Sequence, residues 1–165
     1  MTIKSILAQH KTGTLERWFQ LILQTYPADA IKFFEKKGRF TNPTGATIHA
    51  EIETIFDQLL DGFDKERVKG ALDNIVRIRA VQEFAPSDAI SFVFSLKQAI
   101  REGLETQITE QGLADELVQF ESEVDALALL TFDIYVKCRE QLFELRTDEL
   151  KRQTYKLLER ANRMP

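Results

Sequence analysis

Residues 113–161 read LADELVQFESEVDALALLTFDIYVKCREQLFELRTDELKRQTYKLLERA, a run without a single proline or glycine. Leu113, Leu117, Phe120, Val124, Leu127, Leu130, Ile134 and Cys138 recur at three- and four-residue steps, the spacing that stacks side chains on one face of an α-helix. The pattern predicts either one very long helix or two, with a break near Arg146–Asp148. Its middle, Val124 to Val136, is apolar nearly all round, which predicts burial inside a bundle. Its end, Asp148 to Arg163, is charged and weakly amphipathic, which predicts a projecting segment or one that pairs with another chain.

Upstream the same period continues, and the few breakers mark the boundaries. Ile3, Ile6, Leu7 and His10 give a short amphipathic start. Leu15, Trp18, Phe19 and Ile22 carry a second helix to Tyr26-Pro27. Ala30, Ile31, Phe33 and Phe34 make a brief third, expected to stop near Lys37-Gly38. Arg39 to Gly45 is the most loop-like stretch in the chain. Ile48, Ile52, Ile55, Phe56 and Leu59 then place a helix over about Ala46–Leu60, closed by Asp61-Gly62. Val68, Leu72, Ile75 and Ile78 continue to Gln82, and Ala85-Pro86-Ser87-Asp88 is a start signal, since proline suits a first helical turn and acids suit its dipole. Ile90, Val93, Phe94, Ile100 and Leu104 follow. The expected fold is all-α, one domain over 1–165 of six or seven helices, with a long C-terminal helix whose end projects from about 148.

Composition removes several classes of function. Lys and Arg total 22 against 26 Asp and Glu, a net charge of −4 without a basic stripe. Nucleic acid is therefore not an expected partner, because phosphate neutralisation supplies most of that affinity. Neither a signal peptide nor an apolar run of membrane-spanning length is visible, so the expected place is the cytoplasm and no membrane partner is expected. One cysteine, Cys138, cannot form an intrachain disulfide, and no Cys/His cluster has zinc spacing; no metal or cofactor is expected. No nucleophile elbow, P-loop, dinucleotide fingerprint or HExxH is present. A binding or regulatory role is the default, and catalytic residues are not expected.

Several groups stand out of this helical background. Arg79 and Gln82 continue the inward stripe of Val68, Leu72 and Ile75, which puts a guanidinium at the edge of the core. Asp125 and Asp133 sit in the apolar run of the last helix, eight positions apart on one face with Leu129 between them. The plainer expectation is that Arg77 or Arg79 pairs with Asp125 or Asp133 and fixes helix register. The sharper one is that Arg77, Arg79, Gln82, Asp125 and Asp133 line a cavity for a small anionic or polar effector. At Asn42-Pro43-Thr44-Gly45, Asn42 or Thr44 is expected to cap the next helix, with Gly45 taking a backbone shape that other residues resist; an anion cradle at the helix start is the alternative. Trp18, Phe19, Phe33, Phe34 and Phe56 are expected in the core. His10 and His49 are the two conceivable axial ligands of a haem, the rival reading of a helical carrier.

The Asn42–Gly45 loop with the helix to Leu60, the run IVRIRAVQEFAPSDAISFVFSLK from Ile75, ALALLTFDIYVKCRE from Ala126 and YKLLERAN from Tyr155 resemble the N-terminal domain of RsbRD-type RsbT co-antagonists, proteins of bacterial stress signalling. The resemblance covers nearly the whole chain. It implies a globin-like helical fold that usually carries no haem, commonly dimeric, acting as the input half of a signalling protein. In that family the last helix leads into a STAS output domain; no attached STAS domain is expected within these 165 residues, which leaves either a stand-alone sensor acting on a separate partner or a fragment of something longer. The shared pattern takes in Asn42, Pro43, Gly45, Arg77, Arg79, Gln82, Pro86, Ser87, Asp133 and Lys137; the resemblance defines no ligand for them. A homodimer through the N-terminal or the long helix, an unidentified signalling partner and a small effector are the partners expected. A structural adaptor docking through Asp148–Arg163 is a third reading.

Overall fold

The computed structural model describes residues 1–36 and 40–164. Seven helices follow one another: α1 Ile3–Gln9, α2 Lys11–Leu23, α3 Ala28–Phe34, α4 Pro43–Asp61, α5 Lys65–Val81, α6 Pro86–Glu110 and α7 Ala114–Arg163; no strand occurs among the described residues. Local chemistry sets the ends. The Thr2 and Ser5 side chains each accept the other's backbone N–H, a capping box for α1. The Asp64 carboxylate accepts the N–H groups of Glu66 and Arg67 at the start of α5. Between α6 and α7 the chain turns on Gly112, at φ 67°, a left-handed conformation that costs a glycine little. The Gly112 N–H donates to the Thr109 carbonyl and the Leu113 N–H to that of Ile108, which satisfies two of the last-turn carbonyls of α6.

One boundary differs from the expectation. Helix α4 begins at Pro43 rather than Ala46, because Asn42 supplies the cap and proline at the first position sacrifices no hydrogen bond. The stop expected near Lys37-Gly38 and the loop start at Arg39 fall outside the described residues; α3 as described ends at Phe34. The long C-terminal pattern is one unbroken helix of 50 residues, with no break near Arg146–Asp148.

The packing is dominated by α6 on α7, α4 on α5, α2 on α6 and α5 on α7. One core holds Trp18, Ile22, Ile48, Ile52, Phe56, Leu72, Ile75, Phe92, Leu96, Phe120 and Val124, all essentially without exposure. The Trp18 indole N–H, a donor that would be costly if unpaired, donates to the Phe92 carbonyl at 2.6 Å. Of the aromatic residues expected inside, Phe33 is the exception; it lies half-exposed, its ring edge to that of Phe34.

The middle of α7 is not enclosed. Val124, Leu127, Ala128, Thr131, Tyr135 and Cys138 face α5 and α6, but Leu129, Phe132 and Val136 are open to solvent. Two neighbouring helices cover only one side of a cylinder, and Leu129, Phe132 and Val136 lie on the other. Cys138 is buried at the inner edge, and burial pushes its thiol above the ordinary range. Alkylation of Cys138 by iodoacetamide in the folded protein should therefore be slower than in the urea-unfolded chain at pH 8, and should gain rate only at higher pH. Equal rates in the two states would show the thiol to be accessible.

Candidate functional site

Arg79 lies in the last turn of α5, where a cation suits the helix dipole. It has no exposed surface. Its Nε donates to the Ala89 carbonyl at 2.9 Å and its Nη2 to the Asp88 carbonyl at 2.7 Å. Both terminal nitrogens donate to Thr25 Oγ1, at 3.3 and 3.2 Å, and that hydroxyl donates onward to the Ile22 carbonyl. The guanidinium lies 4.2 Å from the ring centre of Phe84, with Tyr26 and Phe92 at 5.5 and 5.8 Å. Carbonyl dipoles and ring faces thus hold this charge, and no carboxylate among the described residues makes an ion pair with it. Burial pulls its pKa down, yet a guanidinium stays charged throughout the physiological range.

The interhelical pair expected between these arginines and the α7 aspartates does not form. Arg77, two positions earlier, points to the other side of α5 and pairs with Asp73 of its own helix at 2.7 Å, mostly exposed. Asp125 is exposed and takes Lys97 of α6 at 2.8 Å. Asp133 is exposed too, at a groove between α5 and α7 that Arg77 and Lys137 also border. The Asp125–Leu129–Asp133 face turned out to be the outer face of α7. A second and more buried pair between α6 and α7 is Arg101 with Glu121, bidentate at 2.6 and 2.8 Å, the carboxylate largely buried. Glu121 could have been noticed, since it sits within the inward steps of Leu117, Phe120 and Val124.

Gln82 caps α5 and is itself exposed, but its Oε1 accepts the Tyr26 hydroxyl at 2.8 Å. The next residue, Glu83, has φ 61°, a left-handed backbone unusual for a residue with a side chain. Thr25, Tyr26, Gln82, Phe84 and Asp88 surround a cleft of about 450 Å³ beside the buried guanidinium. Arg79 and Gln82 thus come together, while Arg77, Asp125 and Asp133 stand elsewhere.

At the start of α4, Asn42 is buried and fully used. Its Oδ1 accepts the Gly45 N–H at 2.9 Å, and its Nδ2 donates to the carbonyls of Phe34 and Lys36 at the end of α3. A Cβ on Gly45 would come within 2.2 Å of that amide. Close approach, rather than an unusual backbone angle, is what Gly45 permits. The Thr44 side chain is half-exposed, and the capping oxygen is that of Asn42. Asn42 and Gly45 border a second pocket of about 440 Å³ between α2 and α4, with Phe19 and His49, whose rings meet edge to face at 5.4 Å. His10 lies on a different cleft, beside Arg17.

Residues 12–150 match the RsbT co-antagonist protein rsbRD N-terminal domain. The chain belongs to that family. It is a family of regulatory domains rather than of enzymes, tied by its name to stress signalling. A protein of Archaeoglobus fulgidus is similar over 138 residues at 26% identity, covering 82% of this chain and 81% of its own. No solved structure matches the chain. No helix among the described residues is long and apolar enough to cross a membrane, and these residues hold no cluster of His, Cys, Asp and Glu suited to a metal ion.

One further feature of this RsbRD-type domain was missed by sequence reasoning. On α7, Leu129, Val136, Phe143, Leu150 and Leu157 are each seven residues apart, and the next step is Met164 just beyond the helix. All six are between 38% and 77% exposed. Phe132 on the same helix and Phe94 on α6 are also exposed. Seven residues is the period at which two α-helices supercoil about each other; here one position of the heptad is apolar throughout, and the companion three residues on is Phe132 and then Arg139, Arg146, Gln153 and Arg160.

Proposed function

We propose that the chain is a non-enzymatic sensory domain of bacterial stress signalling that works in the cytoplasm as a homodimer. Its two α7 helices pair in parallel, and a change in the helical domain, brought about by a small effector or a protein partner, passes along them. The seven-residue stripe carries this reading. From Asp148 to Arg163 every residue of α7 is exposed, and an isolated stretch of helix this short is marginal in water. Pairing with a second copy would cover the stripe and supply the missing stability. In parallel register each stripe residue meets its own counterpart across a twofold axis. The N-terminal helix offers no such surface, since Ile3, Ile6 and Leu7 are buried in their own domain. The globin-like arrangement implied by the resemblance belongs to the same reading.

Any signal carried this way requires an effector with different affinities for two states of the domain. A haem carrier gains nothing from the histidines, because His10 is exposed and His49 lies half-exposed against Phe19. An adaptor would use the same projecting helix without a second copy.

Sedimentation equilibrium separates these readings. The chain should be dimeric at about 50 µM, far above the dissociation constant of a stable coiled coil. The double variant Leu150→Glu, Leu157→Glu should be monomeric with an unchanged thermal midpoint in its domain, because both side chains are solvent-exposed within one protomer. A monomeric parent chain would overturn the dimer and favour the adaptor.

A further inference from the structure

The cleft that His10 and Arg17 border lies between the first turn of α2 and the middle of α6, with a volume of about 320 Å³. That is the small end of the range for ligand sites. Glycine interrupts both walls. Gly13 on α2 and Gly103 on α6 are helical, and each costs its helix stability relative to alanine. Close approach of a neighbour is the usual compensation, yet a Cβ on either would meet no atom within 4 Å. Their missing side chains leave open space in this cleft. Thr14, on the same wall as Gly13, is only 5% exposed. Its hydroxyl has no hydrogen-bond partner among the described residues, whereas Thr47, Thr109 and Thr131 each donate to the carbonyl four residues back. No side-chain oxygen among these residues is both sealed from solvent and unpaired, so the Thr14 hydroxyl opens into the cleft that Thr14 lines.

The lining carries a guanidinium and no carboxylate. Arg17 gives its Nε to Glu102 at 2.5 Å, and its two terminal nitrogens have no partner among the described residues. Glu102 itself does not line the cleft. His10 stands at the N-cap of α2 without capping it by its side chain, so the first N–H groups of the helix lack that acceptor, at the positive end of its dipole. We propose that this cleft binds a small phosphate, inorganic or as a monoester, held by the Arg17 terminal nitrogens, the Thr14 hydroxyl and the uncapped start of α2. A tetrahedral anion has enough acceptor oxygens to use three kinds of donor at once, and charge-assisted hydrogen bonds are the strong ones. The space left by the two glycines lets it approach both helix backbones. Helix α2 packs on α6 and α6 on α7, so a ligand bridging α2 and α6 bears on the helix that supports α7. As an effector site the cleft rests on the sensory reading above; its chemistry rests on the cleft alone.

The test titrates inorganic phosphate, glycerol 3-phosphate and glycerol into the full chain at constant ionic strength, followed by amide NMR. Both phosphates should shift the signals of Thr12, Gly13, Thr14 and Gly103 and saturate below about 20 mM, and glycerol should leave them unmoved. Either phosphate supports the site: an ester at least about tenfold tighter points to a phosphorylated metabolite, and parity points to the free ion. Thr14→Val keeps the shape, removes the hydroxyl and should weaken phosphate about tenfold with the circular dichroism unchanged. Gly103→Ala should raise the thermal midpoint of the free chain, since its methyl meets no atom in a helix interior, and should weaken phosphate at least about tenfold by entering the cleft. A structural role alone would give the higher midpoint without the loss of binding. No saturation by about 20 mM, shifts spread over the exposed end of α7 instead of the cleft, or unchanged phosphate affinity in either variant would each overturn the site. Since dimerisation is read separately by sedimentation, an intact dimer that binds no phosphate removes this site and leaves the sensory reading standing; a monomer that binds phosphate does the reverse.

Discussion

Arg79→Ala should lower the unfolding free energy by about 3–4 kcal/mol, with Arg79→Lys close behind and Arg79→Met distinctly milder. The order matters more than the size. Alanine removes four hydrogen bonds and leaves a cavity beneath Phe84. Lysine keeps the charge but has one compact ammonium, which cannot reach the Ala89 carbonyl, the Asp88 carbonyl and Thr25 together, nor lie flat on a ring. A desolvated charge with fewer partners is worse than none. Methionine restores much of the volume and removes the desolvation cost, while the Asp88 and Ala89 carbonyls sit in the first turn of α6 and keep their helical donors. Urea denaturation measures all three, provided the slope stays constant. A lysine variant as stable as the parent would show that Arg79 serves only as a charge, and the planar, stacked geometry would then carry no stability.

The position of Arg79 was legible in the sequence and its partners were not. The three- and four-residue steps from Val68 through Ile75 put it on the inward stripe, which fixes its direction but not what it meets. Whether a guanidinium finds a carboxylate or a carbonyl depends on which turn of a neighbouring helix comes opposite, and helical periodicity contains no distance between helices. The start of α6 proved to be opposite, so backbone oxygens took the place of Asp125 and Asp133. The same limit explains α7. Leu129, Phe132 and Val136 are as apolar as Val124 and Leu127, and apolarity alone does not tell a face that buries against its own domain from one left for a partner. The seven-residue spacing from Leu129 to Leu157 is the feature on which the proposed dimer rests, because a stripe with that repeat stays in line only on a helix wound at about 3.5 residues per turn and drifts around a straight one of about 3.6. Asn42 was legible as a cap because the capping chemistry is local; its second role, tying α4 to the end of α3, involves residues six and eight positions earlier and was not.

That second role yields the other large effect. Asparagine and aspartate are nearly equivalent helix N-caps, so if Asn42 did nothing but cap α4, Asn42→Asp would be almost silent. Here the amide nitrogen is as heavily used as the oxygen. It donates to the carbonyls of Phe34 and Lys36, in a site with almost no solvent. A carboxylate would keep the Gly45 N–H and turn two attractions into two repulsions, with its charge desolvated as well. Asn42→Asp is therefore expected to cost about 2–3 kcal/mol at pH 7, as much as Asn42→Ala, which leaves the carbonyls and the Gly45 N–H unpaired. The two variants part on acidification. A carboxyl buried beside carbonyls has a folded-state pKa raised above its unfolded value, so the aspartate variant should regain stability as pH falls through that folded pKa, where the protonated group can donate to one of them. The alanine variant has nothing to titrate and should show no such gain relative to the parent chain. Gly45→Ala should damage the same joint from the other side, since its methyl would overlap the Asn42 amide. Thermal midpoints of the three variants at pH 7 and pH 5 decide the matter. A silent Asn42→Asp would reduce Asn42 to a cap and detach the end of α3 from the start of α4. A cost in Asn42→Asp that does not diminish at pH 5 would place the damage in geometry rather than in charge.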